Sequence, residues 1–450
     1  RIEYEKTYKV AKELLGFTTQ GELTYLWWQW LRGRTGASLA DLGIPWKHFL
    51  VDEYQDLNQC EHDILLMLAK AGVSVYVVGD PNQSIYGQLR HAHPELCWEF
   101  PTKMPEGNQE LLEYSHRCPQ MVLRMGKALL GNSPGVPDPE LAGSAGAMDI
   151  FWFGRETGEA NTIARFASEL IDKYPQSRVL IAVPIRLLAP AFVSALAKLG
   201  KGNLVEDLTN RAPGLSDNCR LARALLRLTR EPKDSVAAAT ALVLSCPSSM
   251  RLLRAQELLT FAEQESLRVA DFLKSTSFAP RPLMEARNKV QGFLAKLSGV
   301  SDIVSELKTL TGCDLGLAGA SLPSAQDTVI QSTDSTQLTA GKVSIMTIHS
   351  SKGTEADWVF LPAVEAGFFE RQEVGARKEE ARRLLYVGIT RASKGTFLSY
   401  VLRRYGQSRY ADPRGNSPRK AQSSFIDDIC NRTGSTPRHG DTAQLFPITR

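Results

Sequence analysis

The sequence predicts an α/β protein with parallel sheets, interrupted by a block of helices. Three observations favour this fold class. Short apolar runs alternate with segments of helical spacing in two regions, acidic or polar residues follow the first runs, and residues 215–314 have an almost wholly helical pattern. Strand–helix–strand order is typical of parallel sheets, which bind ligands at the carboxyl ends of their strands.

The first region spans residues 1–131 and begins with a helical, tryptophan-rich segment up to residue 46. A loop rich in Gly, Pro and Ser at residues 131–146 marks its end. Between these limits, apolar runs and helical spacing predict four elements: strand 49–51, helix 60–70, strand 73–78 and helix 110–131.

The second region repeats the α/β pattern and is split by the helical block. We assign residues 147–214 to its first part, 215–335 to the helical insertion, 336–405 to its second part, and 406–450 to a flexible tail rich in Pro, Arg, Ser and Gly. The predicted elements are strand 150–153, helix 159–173, strand 178–183, helix 187–199, and strands 343–348, 358–361 and 396–401.

The composition excludes several other classes of protein. With 43% hydrophobic and 23% charged residues, the chain is neither disordered nor collagen-like. Its seven cysteines form no CxxC pair, which indicates reduced thiols rather than a disulfide scaffold or a zinc site. No apolar run reaches the ~18 residues of a membrane span, so we expect a cytoplasmic protein without a membrane partner. A net charge of +4 permits nucleic-acid binding without arguing for it.

Two polar segments follow the first two predicted strands. Asp52-Glu53-x-x-Asp56 supplies a carboxylate for Mg²⁺ and a second one that can deprotonate a water molecule. About 27 residues later, Gly79-Asp-Pro-Asn-Gln-Ser-Ile-Tyr supplies a glutamine that can bond to a phosphate. Taken alone, the first segment is better explained by a solvated acidic turn, and the second by an ordinary turn.

In combination, these segments resemble motifs II and III of superfamily 1 DNA helicases of the UvrD/Rep type. Three further segments resemble motifs IV to VI, in the family's order: LEYSHRCP at 112–119, VSIMTIHSSKGTE at 343–355, and EEARRLLYVGITRA at 379–392. The resemblance covers residues 50–392. It implies two RecA-like domains of the P-loop NTPase type, the first incomplete, with a helical 2B-like insertion in the second.

The resemblance also implies the parts of an ATP site. Asp52 would hold Mg²⁺, Glu53 would be the catalytic base, and Gln83 would sense the γ-phosphate. Arg117 and Arg391 would reach the triphosphate, for which a guanidinium is suited because it is always charged and binds phosphate as a fork. Outside this pattern, Arg391 would be better explained as a residue that caps a helix C-terminus.

Further positions are implied to contact nucleotide or DNA. Glu355 resembles the motif V glutamate near the ribose, and Gly353 and Tyr86 accompany it at the nucleotide. Tyr86 and His349 also have plain structural alternatives, as a packed ring and as a satisfied polar residue. The positions implied to contact DNA are Thr347, His349 and Arg90.

The resemblance therefore implies an ATP-dependent DNA helicase that moves 3′ to 5′ along single-stranded DNA and uses Mg²⁺. One motif is missing: no Gly-Lys pair, at residues 126, 200 or 341, is followed by the Ser or Thr of a Walker A loop. We expect an amino-terminal truncation, since the chain begins with Arg1, and we expect little ATP hydrolysis without the loop. The alternative is a degenerate relative that binds DNA as a scaffold without hydrolysis. A helicase–nuclease fusion is disfavoured by the short tail.

Overall fold

The computed structural model describes residues 2–104, 107–209, 217–275, 279–312, 337–366, 368, 375–404 and 422–444. These residues fall into two units. The large unit comprises Tyr25–Arg211 and Thr333–Arg450, and the helical unit comprises Arg1–Thr24 and Ala212–Ser332. Among the described helices, none combines the length and the apolar character that crossing a membrane requires.

The large unit begins with a small parallel sheet of two strands, β1 (His48–Val51) and β2 (Ser74–Val77). Their apolar residues alternate, so that one face packs on the core while Leu50 and Tyr76 on the other face are exposed. Helix α3 (Gln59–Lys70) connects the strands and begins with a capping box formed by Asn58 and Glu61. These elements confirm the predicted strand–helix–strand order.

The second sheet has seven parallel strands in the order β5-β6-β4-β7-β8-β3-β9. Its central strands are buried on both faces, as expected for a parallel sheet covered by helices. The sheet confirms the α/β fold class. The strands are β3 (Ala147–Arg155), β4 (Val179–Val183), β5 (Val205–Asp207), β6 (Val343–Thr347), β7 (Ala356–Leu361), β8 (Ala392–Arg403) and β9 (Arg438–His439).

Helices complete the large unit around the two sheets. The chain leaves the large sheet after β5 and returns to it at β6. The helices that the large unit contains in addition to α3 are α2 (Gln20–Arg32, which begins in the helical unit), α4 (Gly87–Arg90), α5 (Leu96–Lys103), α6 (Gln120–Leu130), α7 (Glu156–Lys173), α8 (Ala189–Lys198), α15 (Ala376–Ile389) and α16 (Ser424–Thr433).

The helical unit has its own apolar core. Leucine and alanine side chains at i, i+3 and i+4 spacing pack together, and Leu14 and Leu15 of the first helix pack against them. Residues 1–24 therefore group with the helical block, whereas the sequence analysis placed them in the first α/β domain. The helices are α1 (Ile2–Leu15), α9 (Asp217–Arg230), α10 (Ser235–Leu244), α11 (Arg251–Gln264), α12 (Val269–Phe272), α13 (Arg281–Leu297) and α14 (Ile303–Thr311).

Two other expectations differ from the structure between residues 110 and 131. The predicted helix begins only at Gln120, because Pro119 is its N-cap and the preceding residues are irregular. In addition, Val122 and Leu129 of α6 belong to the core around the large sheet, not to the core of the small sheet. The amphipathic pattern of α6 predicts a buried face but does not identify the sheet that covers it.

The expectation of a flexible tail over 406–450 is wrong for residues 422–444. Helix α16 buries Phe425, Ile426 and Ile429 completely in the core of the large unit, and β9 extends the large sheet beside β3. Ser423 caps the helix through its side chain. The composition did not predict this short amphipathic helix, because it is surrounded by Pro, Arg and Gly residues. Residues 405–421 lie outside the described part of the chain.

The cysteines follow the expected pattern only in part. Within the described residues, five cysteines are in no disulfide: Cys60, Cys97, Cys118, Cys246 and Cys430. Cys219 is disulfide-bonded, which the dispersed spacing did not predict.

Candidate nucleotide site

The two motif II carboxylates follow β1 directly, as predicted. Asp52 and Glu53 are both exposed. Glu53 has left-handed backbone angles, φ 53° and ψ 41°, which are uncommon for a residue other than glycine. Its carboxylate accepts a hydrogen bond from the Gln55 amide and lies 3.5 Å from the Lys352 ammonium. The backbone at Glu53 thus turns sharply at the end of the strand, where parallel sheets bind ligands.

The motif III turn, which we define as Pro81–Gln83, follows β2. Asp80 precedes it and accepts hydrogen bonds from the Asn82 backbone N–H at 2.9 Å and the Gln83 amide at 2.8 Å. Burial raises the pKa of Asp80, and these bonds oppose the rise. The Asp80 N–H donates to Gln55 Oε1 at 2.9 Å, so the turn is fixed to motif II.

Arg391 lies between α15 and β8 and is only 2% exposed. Its Nη2 donates to Gln83 Oε1 at 2.8 Å, and its Nε donates to the Val387 carbonyl at 2.9 Å. Burial, followed by repulsion from the Arg117 guanidinium, lowers the pKa of Arg391 to about 10. Two neighbouring arginines with an unfavourable mutual charge would be stabilised by a bound anion.

Arg117 pairs with Glu355, the other predicted nucleotide contact, at 3.2 Å. Arg178 reaches the second oxygen of Glu355 at 3.6 Å. The Arg117 and Glu355 side chains are 42% and 40% exposed, so solvent screens this pair and it adds little stability. Gly353, just before this glutamate, has φ +79°, which the turn requires. Both charged groups therefore remain accessible to a ligand.

Lys352 is the residue that sequence reasoning missed. Its side chain is 7% exposed, and its ammonium donates to Asp56 at 2.5 Å and to the Gln83 carbonyl at 2.9 Å. It also lies 5.2 Å from the centre of the Tyr86 ring, close enough for a cation–π contact. Tyr86 therefore contacts a cation of motif V. The sequence does show that Lys352 is the only Lys or Arg in motif V. It gives no indication that Asp56 is the partner of this lysine.

Asp56 is the buried partner of Lys352. Burial raises the pKa of Asp56, and the Lys352 ammonium acts in the opposite direction. The second carboxylate oxygen, Oδ1, is buried without a hydrogen-bond partner among the described residues. The Asp56 carboxylate thus depends on one lysine from a distant part of the chain.

The three residues predicted to contact DNA do not form one cluster. Thr347 ends β6, and its buried hydroxyl is 2.8 Å from the Ser350 hydroxyl. His349 is exposed in the turn that follows. Arg90 lies on α4 and pairs with Glu61 at 3.3 Å. Within the described ranges, Arg90 bonds to Glu61 and Thr347 bonds to Ser350, and no hydrogen bond joins Arg90 to Thr347 or His349.

The nucleotide candidates, in contrast, are connected through consecutive contacts. Glu53 is near Lys352, Lys352 bonds to the Gln83 carbonyl, and the Gln83 amide bonds to Arg391. The groups come from the small sheet on one side and from the large sheet on the other. A large parallel α/β sheet with acidic, amide and arginine groups gathered beside it is consistent with the RecA-like class of fold.

Comparison with known proteins gives the family. The profile of the UvrD/REP helicase N-terminal domain matches residues 3–105, and that of the UvrD-like helicase C-terminal domain matches residues 317–403. Both matches support a UvrD/Rep-type helicase of superfamily 1. This confirms the resemblance that motifs II to VI indicated.

Three curated relatives illustrate the similarity. The ATP-dependent DNA helicase PcrA of Leuconostoc citreum is 26% identical over 83% of this chain and 57% of the relative. The ATP-dependent DNA helicase UvrD2 of Mycobacterium bovis is 26% identical over 87% and 51%, and the DNA helicase II of Haemophilus influenzae is 27% identical over 79% and 55%. The chain thus spans about half the length of the curated relatives it matches.

Proposed function

We propose that the chain forms the motif II to VI part of an ATP-dependent DNA helicase that moves 3′ to 5′ along single-stranded DNA. The observation that carries this proposal is the 2.8 Å bond between Gln83 and Arg391, which are 308 residues apart in the chain. It joins a phosphate-sensing amide to a buried guanidinium. The direction of movement follows from the family resemblance.

Asp52 is proposed to hold Mg²⁺. The residues fit this ion, because Mg²⁺ typically binds through one or two carboxylates together with substrate phosphates and waters. Asp52 is exposed at the end of β1, and its Oδ1 accepts the N–H of Glu53 at 2.8 Å. Within the described residues no hydrogen bond uses Oδ2, which leaves this oxygen for a metal. When bound, Mg²⁺ would neutralise phosphate charge.

The remaining groups divide the chemistry of hydrolysis. Glu53 is proposed to accept the proton of the attacking water, and Gln83 to orient that water against the γ-phosphate. Arg391 and Arg117 would stabilise the charge that develops as the phosphate leaves. Glu355 would contact the ribose, with Gly353 and Tyr86 shaping the nucleotide side of the cleft.

Opening or closing of the nucleotide cleft between the two sheets is proposed to affect the residues that contact DNA. Thr347 and His349 end and follow β6, and Lys352, three residues further on, bonds to the motif III turn. A strand of DNA that contacts Thr347, His349 and Arg90 would therefore respond to movement between the two sheets. We also propose that the helical unit corresponds to the 2B-like insertion and the large sheet to the second RecA-like domain.

A test of the proposal begins with binding. Fluorescence anisotropy of labelled single-stranded DNA is measured with the chain alone and with ATP and Mg²⁺, over a range of salt concentrations. We expect salt-dependent binding that changes with nucleotide. Arg391→Ala should abolish the nucleotide effect, whereas Arg281→Ala, at a 91% exposed arginine of the helical unit, should preserve it.

The outcomes separate the two functions. DNA binding that ignores ATP, with Arg391→Ala behaving like the unaltered chain, would favour the scaffold alternative over the motor. Hydrolysis is a separate step, because a motor of this class requires a phosphate-binding loop with its lysine, and no Gly-Lys-Ser/Thr occurs among the 450 residues. The binding assay therefore precedes any measurement of turnover.

A further inference from the structure

Asn82, in the motif III turn, is bonded across to the loop that follows α6. Its Nδ2 donates to the Pro134 carbonyl at 2.8 Å, and its Oδ1 accepts from the Ser133 hydroxyl at 2.6 Å. The side chain is almost completely buried, since Asn82 is 4% exposed. Its own N–H donates to Asp80. The amide is therefore held in one orientation by partners on both sides.

The partners of Asn82 lie in a loop on the side of the large sheet. Ser133 and Pro134 lie just beyond α6, whose side chains pack in the core of the large sheet. Asn82 follows β2 of the small sheet. Gly135, the next residue of the loop, has φ +81°, and a Cβ placed on it would be 3.8 Å from Nδ2 of Asn82. The contact thus joins the two sheets through neutral groups.

Asn82 directly precedes Gln83, so its contact with the loop affects the position of Gln83. The next residue, Gln83, bonds to Arg391 at 2.8 Å and to Asp80 at 2.8 Å. Because the turn is only three residues long, an anchor at Asn82 limits where the Gln83 side chain can lie. The anchor itself uses no group that the proposed function assigns to nucleotide or DNA.

We propose that Asn82 is a positioning residue, which holds Gln83 against Arg391 by anchoring the motif III turn to Ser133 and Pro134, and thereby favours the closed arrangement of the two sheets. The role of Gln83 as a phosphate sensor rests on the proposed function. The anchoring does not, because it is a property of the chain without nucleotide. Loss of the anchor would free Gln83 and allow the sheets to separate more often.

Hydrogen–deuterium exchange of the full chain tests the proposal. In Asn82→Ala we expect exchange to rise about 2- to 10-fold in peptides covering 80–86 and 131–137, the effect of losing one or two neutral hydrogen bonds. Exchange should also rise in the peptide covering 388–392, which the anchor reaches only through Gln83. A purely local role would leave that last peptide unchanged.

Two matched variants sharpen the test. Asn58→Ala removes the cap of α3 in the same small-sheet region and should raise exchange only at the start of that helix. Ser133→Ala removes one of the two bonds of Asn82, so the double variant with Asn82→Ala should be no worse than Asn82→Ala alone. Additive effects in the double variant would contradict the anchor.

The variant Asn82→Asp gives a pH signature. At neutral pH the carboxylate cannot donate to the Pro134 carbonyl, so exchange should rise at least as much as in Asn82→Ala. At acidic pH the protonated acid can donate again, and protection should return towards that of the unaltered chain. A pH-independent effect, or an unchanged 388–392 peptide, would overturn the proposal. Neither result would bear on DNA binding or ATP, since the experiment uses neither.

Discussion

Replacing Lys352 by methionine should destabilise the large unit by about 3 kcal/mol or more. Lys352 and Asp56 form an ion pair at 2.5 Å, and their side chains are only 7% and 10% exposed. Removal of one partner from a buried pair leaves an uncompensated charge and typically costs ~3–5 kcal/mol. Methionine keeps most of the volume of the lysine, so the loss reports the missing ammonium rather than a cavity.

The loss should depend on pH, with a defined sign. Burial raises the pKa of Asp56, and the ammonium of Lys352 limits this rise. Without Lys352 the pKa of folded Asp56 rises further, while that of the unfolded chain stays near ~3.9. Between these two values the folded state binds more protons than the unfolded state, so the free energy of unfolding falls as pH rises. The variant should therefore lose more stability at pH 8 than at pH 5, relative to the unaltered chain.

Urea unfolding followed by tryptophan fluorescence, at both pH values, measures this difference. The double variant Lys352→Met with Asp56→Asn provides the control, because it removes the buried charge along with its partner. Replacing both charged groups should restore much of the loss and abolish its pH dependence. The reasoning is refuted if the single variant loses the same free energy at both pH values, or if the double variant is no more stable than the single one.

Three further predictions concern other parts of the chain. Glu53→Gln, made in a protein that also contains a phosphate-binding loop, should still bind nucleotide but hydrolyse ATP at least ~100-fold more slowly, because the catalytic base is lost. Undiminished turnover would show that Glu53 is not the base. Gly79→Ala should cost about 1–3 kcal/mol in urea unfolding, since the new Cβ would lie 2.6 Å from Gln55 Oε1. Gly154→Ala, with no atom within 4 Å of its Cβ, should cost less than 1 kcal/mol, and equal losses would contradict the steric argument. Phe425→Ala should cost about 3–5 kcal/mol because Phe425 is fully buried in the core; an unchanged unfolding midpoint would mean that this tail helix is not packed.

The secondary structure near the proposed site could be predicted because its periodicity is strong. The runs at 49–51 and 73–78 became β1 and β2, and the intervening helix α3 begins one residue before its predicted start. A strand end fixes where the next polar residue lies, so Asp52 and Gln83 could be placed near the ends of two adjacent strands. These inferences need only local pattern and the rule for parallel sheets.

Two of the failures share a physical cause, because they depend on partners that are distant in the chain, whereas a third has a local cause. Helix α6 has an apolar face that fits either core, and only tertiary packing assigns it to the large sheet. Helix α16 is short, and its three buried side chains are diluted by a polar neighbourhood. Residues 110–119 have helical composition, but Pro119 starts the helix later than the pattern predicts. Local propensity is a weak guide where long-range contacts decide.

The same limit explains why the partners of the motif III turn could not be predicted, although its residues could. Asn82 bonds to the loop after α6, Gln83 to Arg391, and the Ser84 carbonyl to Arg383 at 2.7 Å. Three consecutive residues thus contact three different places on the large-sheet side. A displacement of that side would alter all three contacts together, so the position of Gln83 depends on the arrangement of both sheets. A glutamine held in this way would respond to closure of the proposed cleft, because residues from both walls of the cleft fix the position of its side chain.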